Sequence, residues 1–230
     1  ADLRSEALAW ADIRFKPLGV NLRTQKLRLP ELPQGRPELV LLGHVLNELT
    51  PQGQELLLLR LQEKLAPGGS ILILEPALMG SARRLMELRE GFRQKPFAIA
   101  APCPCPGPCP MLALARQWCV AELPWSPPDW FQALDRAAGL DRGVLTFAYL
   151  LAWRDHPGKA PSARIVGVPR PQKGKVERWL CTPAGGERWE ALTRHGVPEW
   201  ALPRTHEVPW AQSPLNEPSG GWSLCRPEQG

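Results

Sequence analysis

Two apolar runs on either side of a leucine-rich segment constrain the fold of this chain more than any other feature. The run ELVLLGHVL begins at Glu38 and the run SILILEP begins at Ser70, and both are continuous, as in strands buried on both faces. Between them, Thr50 and Pro51 are suited to the N-cap and first position of a helix that the glycines of 67–69 end. This order predicts two parallel strands joined by a crossover helix within an α/β sheet.

Further helices and strands extend this alternation to about residue 155. A helix is predicted over about 80–93, and SPPDWFQALDRAAGL predicts another, which Ser126 or Asp129 caps and Gly139 ends. GVLTFAYLLAWRD then has the composition of a long strand. We therefore expect residues 1–155 to form one α/β domain.

The sequence pattern changes after this domain. Short β-like runs between Pro and Gly turns predict a small β-rich module over 156–202, and the Pro-, Ser- and Gly-rich residues 203–230 predict an irregular tail. The first 37 residues can supply one helix and at most one strand, QKLRLP.

The composition and charge of the chain indicate which cellular compartments and which classes of partner to expect. No run of about 18 apolar residues occurs, so no membrane span is predicted. The first residues, ADLRSEALAWADIRF, are charged and lack the apolar stretch of a secretory signal. The net charge of +5 and the isoelectric point of about 9.1 permit an anionic partner without requiring one.

Four of the six cysteines lie within AAPCPCPGPCPMLALARQWC, residues 100–119. Disulfides are disfavoured because no export signal is visible and because Cys103 and Cys105 are too close together to pair without strain. Five residues separate Cys103 from Cys109, and nine separate Cys109 from Cys119, which is irregular for paired zinc knuckles. Iron–sulfur clusters tolerate irregular spacing. The spacing alone leaves zinc and iron–sulfur as alternatives.

Five motifs follow one another along the chain: HVLNELT, LAPGGSILILEP, APCPCPGPCP, WC and RIVGVPRPQKGKVERWLCTPAGG. In this order, over about residues 38–195, they resemble the Rsm-type methyltransferase-like family of the small ribosomal subunit, whose members include mitochondrial methyltransferase-like protein seventeen. The resemblance implies a class I S-adenosylmethionine methyltransferase-like, Rossmann-type sheet. It also implies a cysteine-rich insertion at 100–120 and a C-terminal β module.

The resemblance further implies a 4Fe–4S cluster held by four cysteines, which fall on Cys103, Cys109, Cys119 and Cys181. The family usually has His where this chain has Cys105, so Cys105 is a departure and a substitute ligand. Zinc remains the alternative metal. Cys225 lies outside the match, and we interpret it as a thiol with no metal-binding role.

Polar residues follow both predicted strands of the first unit. His44, Asn47 and Glu48 follow the first strand, and Glu75 ends the second. Ligands of open α/β sheets bind beyond the carboxyl ends of strands, so these are candidate S-adenosylmethionine-binding residues. The alternative is that they lead into the helix or pair with arginine. No G-x-G-x-G loop is present, so we expect the methyltransferase-like domain to be N-terminally incomplete, and catalysis stays an open question.

Basic residues are concentrated near the β-rich module, with seven basic and two acidic residues from Arg154 to Arg178. Such charges on hairpin turns suit contacts to an RNA backbone, although an ordinary solvated β surface has them too. The candidate RNA-binding residues are Arg164, Arg170, Lys173, Lys175 and Arg178. Trp179 and Trp189 are candidates for base stacking, with core packing as the alternative.

These inferences predict an iron–sulfur-containing, methyltransferase-like protein that binds small-subunit rRNA and acts in ribosome assembly. The alternatives are an active S-adenosylmethionine-dependent rRNA methyltransferase and an interaction protein held together by zinc. The expected location is the cytoplasm of a bacterium or the mitochondrial matrix of a eukaryote.

Overall fold

The two apolar runs form adjacent parallel strands, which confirms the predicted pairing. The computed structural model describes residues 2, 4–93, 97–140, 142–155, 162–192, 207–209 and 222–225. In it, β1 (Leu39–Gly43) pairs in parallel with β2 (Ser70–Pro76), and the helix α2 (Pro51–Lys64) joins them. Thr50 is the N-cap of α2, as predicted, because its side-chain oxygen accepts a hydrogen bond from the Gly53 amide at 3.2 Å.

The remaining elements fall into two sheets. Before β1 lies the helix α1 (Ser5–Phe15). After β2 come α3 (Met79–Gly91), β3 (Phe97–Ala101), β4 (Ala121–Pro124), α4 (Asp129–Ala137) and β5 (Val144–Arg154). The second sheet contains β6 (Ser162–Gln172), β7 (Lys175–Thr182), β8 (Gly185–Leu192), β9 (Glu207–Pro209) and β10 (Trp222–Cys225).

The first sheet is mixed, with the strand order β1-β2-β5-β3, and β4 extends it by pairing with β5. The long strand β5 is antiparallel to both β2 and β3. An apolar cluster packs on this sheet, and we call it the first core. Its buried members are Leu42, Leu46, Leu57, Leu58, Leu61, Leu65, Ile71, Ile73, Ala82, Leu85, Leu88, Phe92, Phe97, Val120, Ala148, Leu150 and Ala152. The protein is therefore an α/β protein, as predicted.

The second sheet is antiparallel, with the order β10-β8-β7-β6-β9. The prediction of an irregular tail over 203–230 is wrong at two places, because β9 pairs with β6 and β10 pairs with β8. Both strands are short, β9 ends in a proline and β10 follows two glycines, so a sequence pattern does not reveal them. The segment QKLRLP forms no extended strand, only one bridge between Asp2 and Lys26.

The start of α4 also differs from expectation. Its N-cap is Pro128 and has no side-chain capping bond, so neither Ser126 nor Asp129 caps the helix. The Pro128 carbonyl accepts hydrogen bonds from the amides of Phe131 and Gln132, both at 2.9 Å, and so begins the helix with backbone groups alone. Gly139, with a φ of 67°, follows the helix end as predicted.

A second buried cluster lies where the two sheets meet the segment between β3 and β4. We call residues 103–119 the cysteine segment and this cluster the second core. Its buried members are Met86, Cys105, Met111, Val166 and Cys181, and Cys109, Leu112, Leu114, Trp118, Cys119 and Trp179 pack against them. Among the helices that are described, none has the length and apolar character needed to cross a membrane.

Candidate metal centre

Cysteines from the cysteine segment and from the second sheet line one cavity in the second core. Cys103, Cys109 and Cys119 belong to the cysteine segment, and Cys181 lies on β7. The cavity has a volume of about 30 Å³. One water molecule needs about 10–15 Å³, so the cavity has room for a body larger than a water molecule. These four cysteines are the ones that the family resemblance singles out.

Cys181 reaches this cavity because the hairpin β7–β8 lies very close to the cysteine segment. Cys181 pairs with Gly186 across the hairpin. A Cβ atom at Gly186 would lie 2.8 Å from the Cβ of Pro110, which is closer than real Cβ contacts. Only glycine therefore fits at Gly186 with the present separation between the second sheet and the cysteine segment.

Cys105 occupies a different position from the four cavity cysteines. It is buried in the second core, but it is not among the residues that line the cavity. Its Sγ lies 3.8 Å from the Pro108 carbonyl oxygen, to which it donates a weak hydrogen bond. The cysteines 103, 105, 109, 119 and 181 form no disulfides. The side chain of Cys225 lies outside the described residues.

Arg89 of α3 lines the cavity and binds the cysteine segment. This buried side chain donates from Nε to Cys103 Sγ at 3.1 Å and from Nη2 to the Cys105 carbonyl at 2.5 Å. Its Nη1 donates to the Gly107 carbonyl at 3.1 Å and to Glu90 Oε1 at 2.5 Å. One guanidinium thus fixes both the backbone of the loop and the position of one thiol.

Other residues of α3, and Arg93 just after its end, bind the rest of the cysteine segment. Glu90 accepts a hydrogen bond from the Cys109 amide at 3.1 Å, and Arg93 donates to the Pro106 carbonyl at 3.0 Å. Arg83 donates to the carbonyls of 112, 114 and 117 at 2.8–3.1 Å. The segment has little regular structure of its own, so α3 satisfies much of its backbone.

Arg164 is a cavity residue and not part of an RNA-binding face, which corrects the prediction for this position. It is 1% exposed and lines the same cavity. Its Nη1 donates to the Tyr149 hydroxyl at 3.1 Å, and its guanidinium carbon lies 5.3 Å from the centre of the Tyr149 ring. Arg164 is also the cross-strand partner of Cys181. An inward position on β6 thus accounts for its burial.

The surroundings of the thiols favour their protonated forms when no metal is bound. Burial raises the pKa of Cys103 to about 11, although the neighbouring Arg89 acts in the opposite direction. Burial also raises the pKa of Cys109, and burial together with the charge of Cys103 raises the pKa of Cys181. A metal group that binds here must therefore displace thiol protons.

The thiols are not arranged around a single point. Within the described ranges, no three Cys, His, Asp or Glu side chains lie close enough together to hold one metal ion. The four cysteines face a shared space instead, whose walls include Met86, Met111, Leu150 and Val166.

The predicted cofactor-binding residues lie at the carboxyl edge of the first sheet. His44, Asn47 and Glu48 are exposed after β1, and His44 has a φ of 56°, which is unusual for a residue other than glycine. Glu75 is instead 1% exposed, and its Oε1 accepts a hydrogen bond from the Leu46 amide at 2.8 Å. Glu75 thus holds in place the segment that carries His44, Asn47 and Glu48. Their role in binding a cofactor stays a prediction.

The predicted RNA-binding residues other than Arg164 lie on or beside the β6–β7 hairpin. Lys173 is exposed in its turn, and Lys175 forms an ion pair with Glu177 at 2.9 Å. Arg170 pairs with Glu177 in the backbone register, but the side chains of Arg170, Arg178 and Trp189 lie outside the described residues. Trp179 packs against the second core, which favours a packing role.

Sequence reasoning missed the arginines that organise this centre. Arg83 and Arg89 lie six residues apart on α3, and Arg93 follows two residues after the end of that helix, shortly before β3 and the cysteine segment. That pattern also fits a solvated helix face, so the periodicity gave no reason to bury Arg89. The proximity of a basic helix to a cysteine-rich loop is the signal that could have found it.

Comparison with known proteins places this arrangement in a family. A family model described as mitochondrial small ribosomal subunit Rsm22 matches residues 14–209. The matched range includes the first sheet, the cysteine segment and the strands β6, β7, β8 and β9. No curated protein matches the chain. Because the match spans most of its length, the chain belongs to the Rsm22 family of the mitochondrial small ribosomal subunit.

Proposed function

We propose that this protein binds small-subunit rRNA during assembly of the ribosomal small subunit, and that a 4Fe–4S cluster fixes the shape with which it binds. The ligands of the cluster are Cys103, Cys109, Cys119 and Cys181. The chain belongs to a family whose description names the mitochondrial small ribosomal subunit, and this supports small-subunit rRNA as the partner. For a eukaryotic protein the corresponding location is the mitochondrial matrix, and for a bacterial one it is the cytoplasm.

The cavity in the second core is the single observation that carries this proposal. It brings thiols from distant parts of the chain to one space, with one ligand on the second sheet and three on the cysteine segment. A group bound by all four closes a long loop and joins the two sheets. When bound, a cubane cluster supplies this cross-link and an electron-accepting centre.

The cavity supports a cluster more than it supports zinc. A zinc ion with metal–sulfur distances of about 2.3 Å draws four thiolates around one point and leaves no space between them. Here the thiols surround a space larger than a water molecule, and no three of the described ligand-type side chains are close enough for one ion. A cubane places iron and sulfide in that space.

The position of the hairpin connects the cluster with RNA binding. The strand β7 carries Cys181 near one end, and the exposed Lys173 lies in the turn at its other end. Fixing Cys181 therefore orients the basic turn relative to the first sheet. Lysines contact RNA chiefly through phosphates, so their arrangement in space decides which RNA surface they fit.

Filter-binding titrations with small-subunit rRNA, at several salt concentrations, test this proposal. Cys181→Ser removes no positive charge, and we expect it to weaken binding because the hairpin loses its fixed orientation. Cys105→Ser is the matched control and should bind like the unmodified chain. If Cys181→Ser binds with unchanged affinity, the link between the cluster and RNA is wrong. If the unmodified chain does not bind rRNA, the proposed partner is wrong.

An active methyltransferase is the second candidate, and one observation favours it. Glu75 is buried with Oε1 bound to the Leu46 amide, and its Oε2 has no hydrogen-bond partner among the described residues. This group lies at the edge where a methyl-donor cofactor is predicted, beside the strained His44. Isothermal titration of the chain with S-adenosylmethionine tests the candidate. If the chain binds S-adenosylmethionine and Glu75→Gln weakens this binding, the methyltransferase candidate is supported. If the chain does not bind S-adenosylmethionine, the candidate is excluded for residues 1–230.

A further inference from the structure

Two guanidinium groups line the same cavity as the four cysteines. Arg89 is 2% exposed and comes from α3, and Arg164 is 1% exposed and comes from β6. The second sheet therefore contributes one thiol, Cys181, and one guanidinium, Arg164, whereas the other three thiols come from the cysteine segment and the other guanidinium comes from α3. Arginines are rarely buried so completely unless negative charge faces them.

Arg89 is held so that its Nε–H faces a ligand sulfur. The carbonyls of Cys105 and Gly107 fix the other end of the guanidinium, and the Nε donates to Cys103 Sγ at 3.1 Å. Glu90 also binds Arg89, but this carboxylate is shared with Arg93 and with the Cys109 amide. The positive charge of Arg89 is thus only partly balanced by Glu90.

Arg164 is held by a different set of contacts. Tyr149 binds it both through the hydroxyl and through the ring face. Cys103 and Cys119 line the same cavity as Arg164. Its cross-strand neighbour is the fourth ligand, Cys181. The side chain therefore lines the cavity that the ligand cysteines of both parts of the centre also line.

We propose that Arg89 and Arg164 provide the positive charge that balances the cluster and that they set its reduction potential. This inference rests on the proposed cluster. The core of an oxidised cubane carries two positive charges and its four thiolates carry four negative ones, so the bound group is a dianion that gains one more negative charge on reduction. Nearby positive charge and N–H···S bonds stabilise the reduced state more, and therefore raise the potential.

The test compares reduction potentials after anaerobic reconstitution of the full chain with ferric iron, sulfide and an excess of a small thiol, which reduces part of the iron to the ferrous state. Each variant is titrated with a reductant while its absorption spectrum is recorded, and its iron content is measured. We expect Arg89→Gln and Arg164→Gln to have lower potentials than the unmodified chain. Arg89→Lys keeps the charge and should restore most of the shift.

Arg83→Gln is the matched control, because Arg83 also binds carbonyls of the cysteine segment but does not line the cavity. It should leave the potential unchanged even if it lowers iron content. Unchanged potentials in both glutamine variants, or an equal shift in Arg83→Gln, would overturn the inference.

A variant that loses the cluster also tests the inference. If Arg89→Gln retains no iron, the rate of iron loss to a chelator is compared between Arg89→Lys and the unmodified chain. Retention by Arg89→Lys supports the role of charge, and loss as complete as in Arg89→Gln contradicts it. If the unmodified chain itself takes up no iron, the proposed cluster is wrong, which is a different failure from unchanged potentials.

Discussion

The two buried cores of this protein are built on different principles. The first core consists of aliphatic and aromatic side chains between one sheet and its helices. The second core contains sulfur from cysteine and methionine around a cavity, with buried arginines in its walls. Apolar burial is the main source of order in the first core. The second core contains polar groups and free space, so its order depends on hydrogen bonds from α3 and on what fills the cavity.

This difference predicts that the two regions respond separately to loss of metal. After removal of iron with a chelator, we expect amide hydrogen exchange in β7 and β8 to accelerate about tenfold or more, because a cross-link is lost. The amides of β2 and β5 should exchange at unchanged rates. Mass spectrometry of peptides from both sheets measures the effect. Equal acceleration in both sheets would show that the cores are one cooperative unit.

A truncation in the first core should act in the opposite way. Leu57 is completely buried in that core, so Leu57→Ala should lower the free energy of unfolding by about 2–5 kcal/mol, with or without iron. Leu59 on the same helix is 58% exposed, and Leu59→Ala should change it by no more than about 0.5 kcal/mol. Urea unfolding followed by circular dichroism provides both values. A loss that depends on iron would contradict the separation of the cores.

A methyl group at Gly186 should disturb only the second core. Gly186→Ala places a Cβ 2.8 Å from the Cβ of Pro110. This close contact between the β7–β8 hairpin and the cysteine segment should lower the free energy of unfolding by about 1–3 kcal/mol. The expected readout is faster loss of iron to a chelator. Gly143→Ala meets no atom within 4 Å and is the matched control. Equal iron retention by both variants would mean that this contact does not position Cys181.

The smallest effect is expected at the basic turn. Lys173 is exposed, whereas Lys175 is paired with Glu177. Lys173→Ala should therefore make the slope of log K for rRNA binding against log salt concentration shallower by about one unit, and Lys175→Ala should change this slope less. Both variants should keep their iron and the order of both cores. Salt titrations of rRNA binding measure the slopes. An unchanged slope for Lys173→Ala would indicate that the turn does not contact phosphate.

The first core could be predicted from local pattern, and the second could not. The strands β1 and β2 are continuous apolar runs, and the Thr50 cap is a local pattern, so neighbouring residues were sufficient to predict them. The approach of Cys181 to the cysteine segment is a long-range contact, and only the family resemblance indicated it. Arg164 illustrates the limit, because a basic residue between apolar ones on a strand can face either side of the sheet.

The central claim is that a polynuclear cluster, and not a single ion, occupies the second core. Iron and acid-labile sulfide per chain, measured with the absorption spectrum of anaerobically purified protein, test it most directly. We predict about four irons and about four sulfides per chain, with a broad visible absorption that is absent from Cys181→Ser and retained in Cys105→Ser. One zinc per chain without sulfide, or no metal at all, would contradict the account.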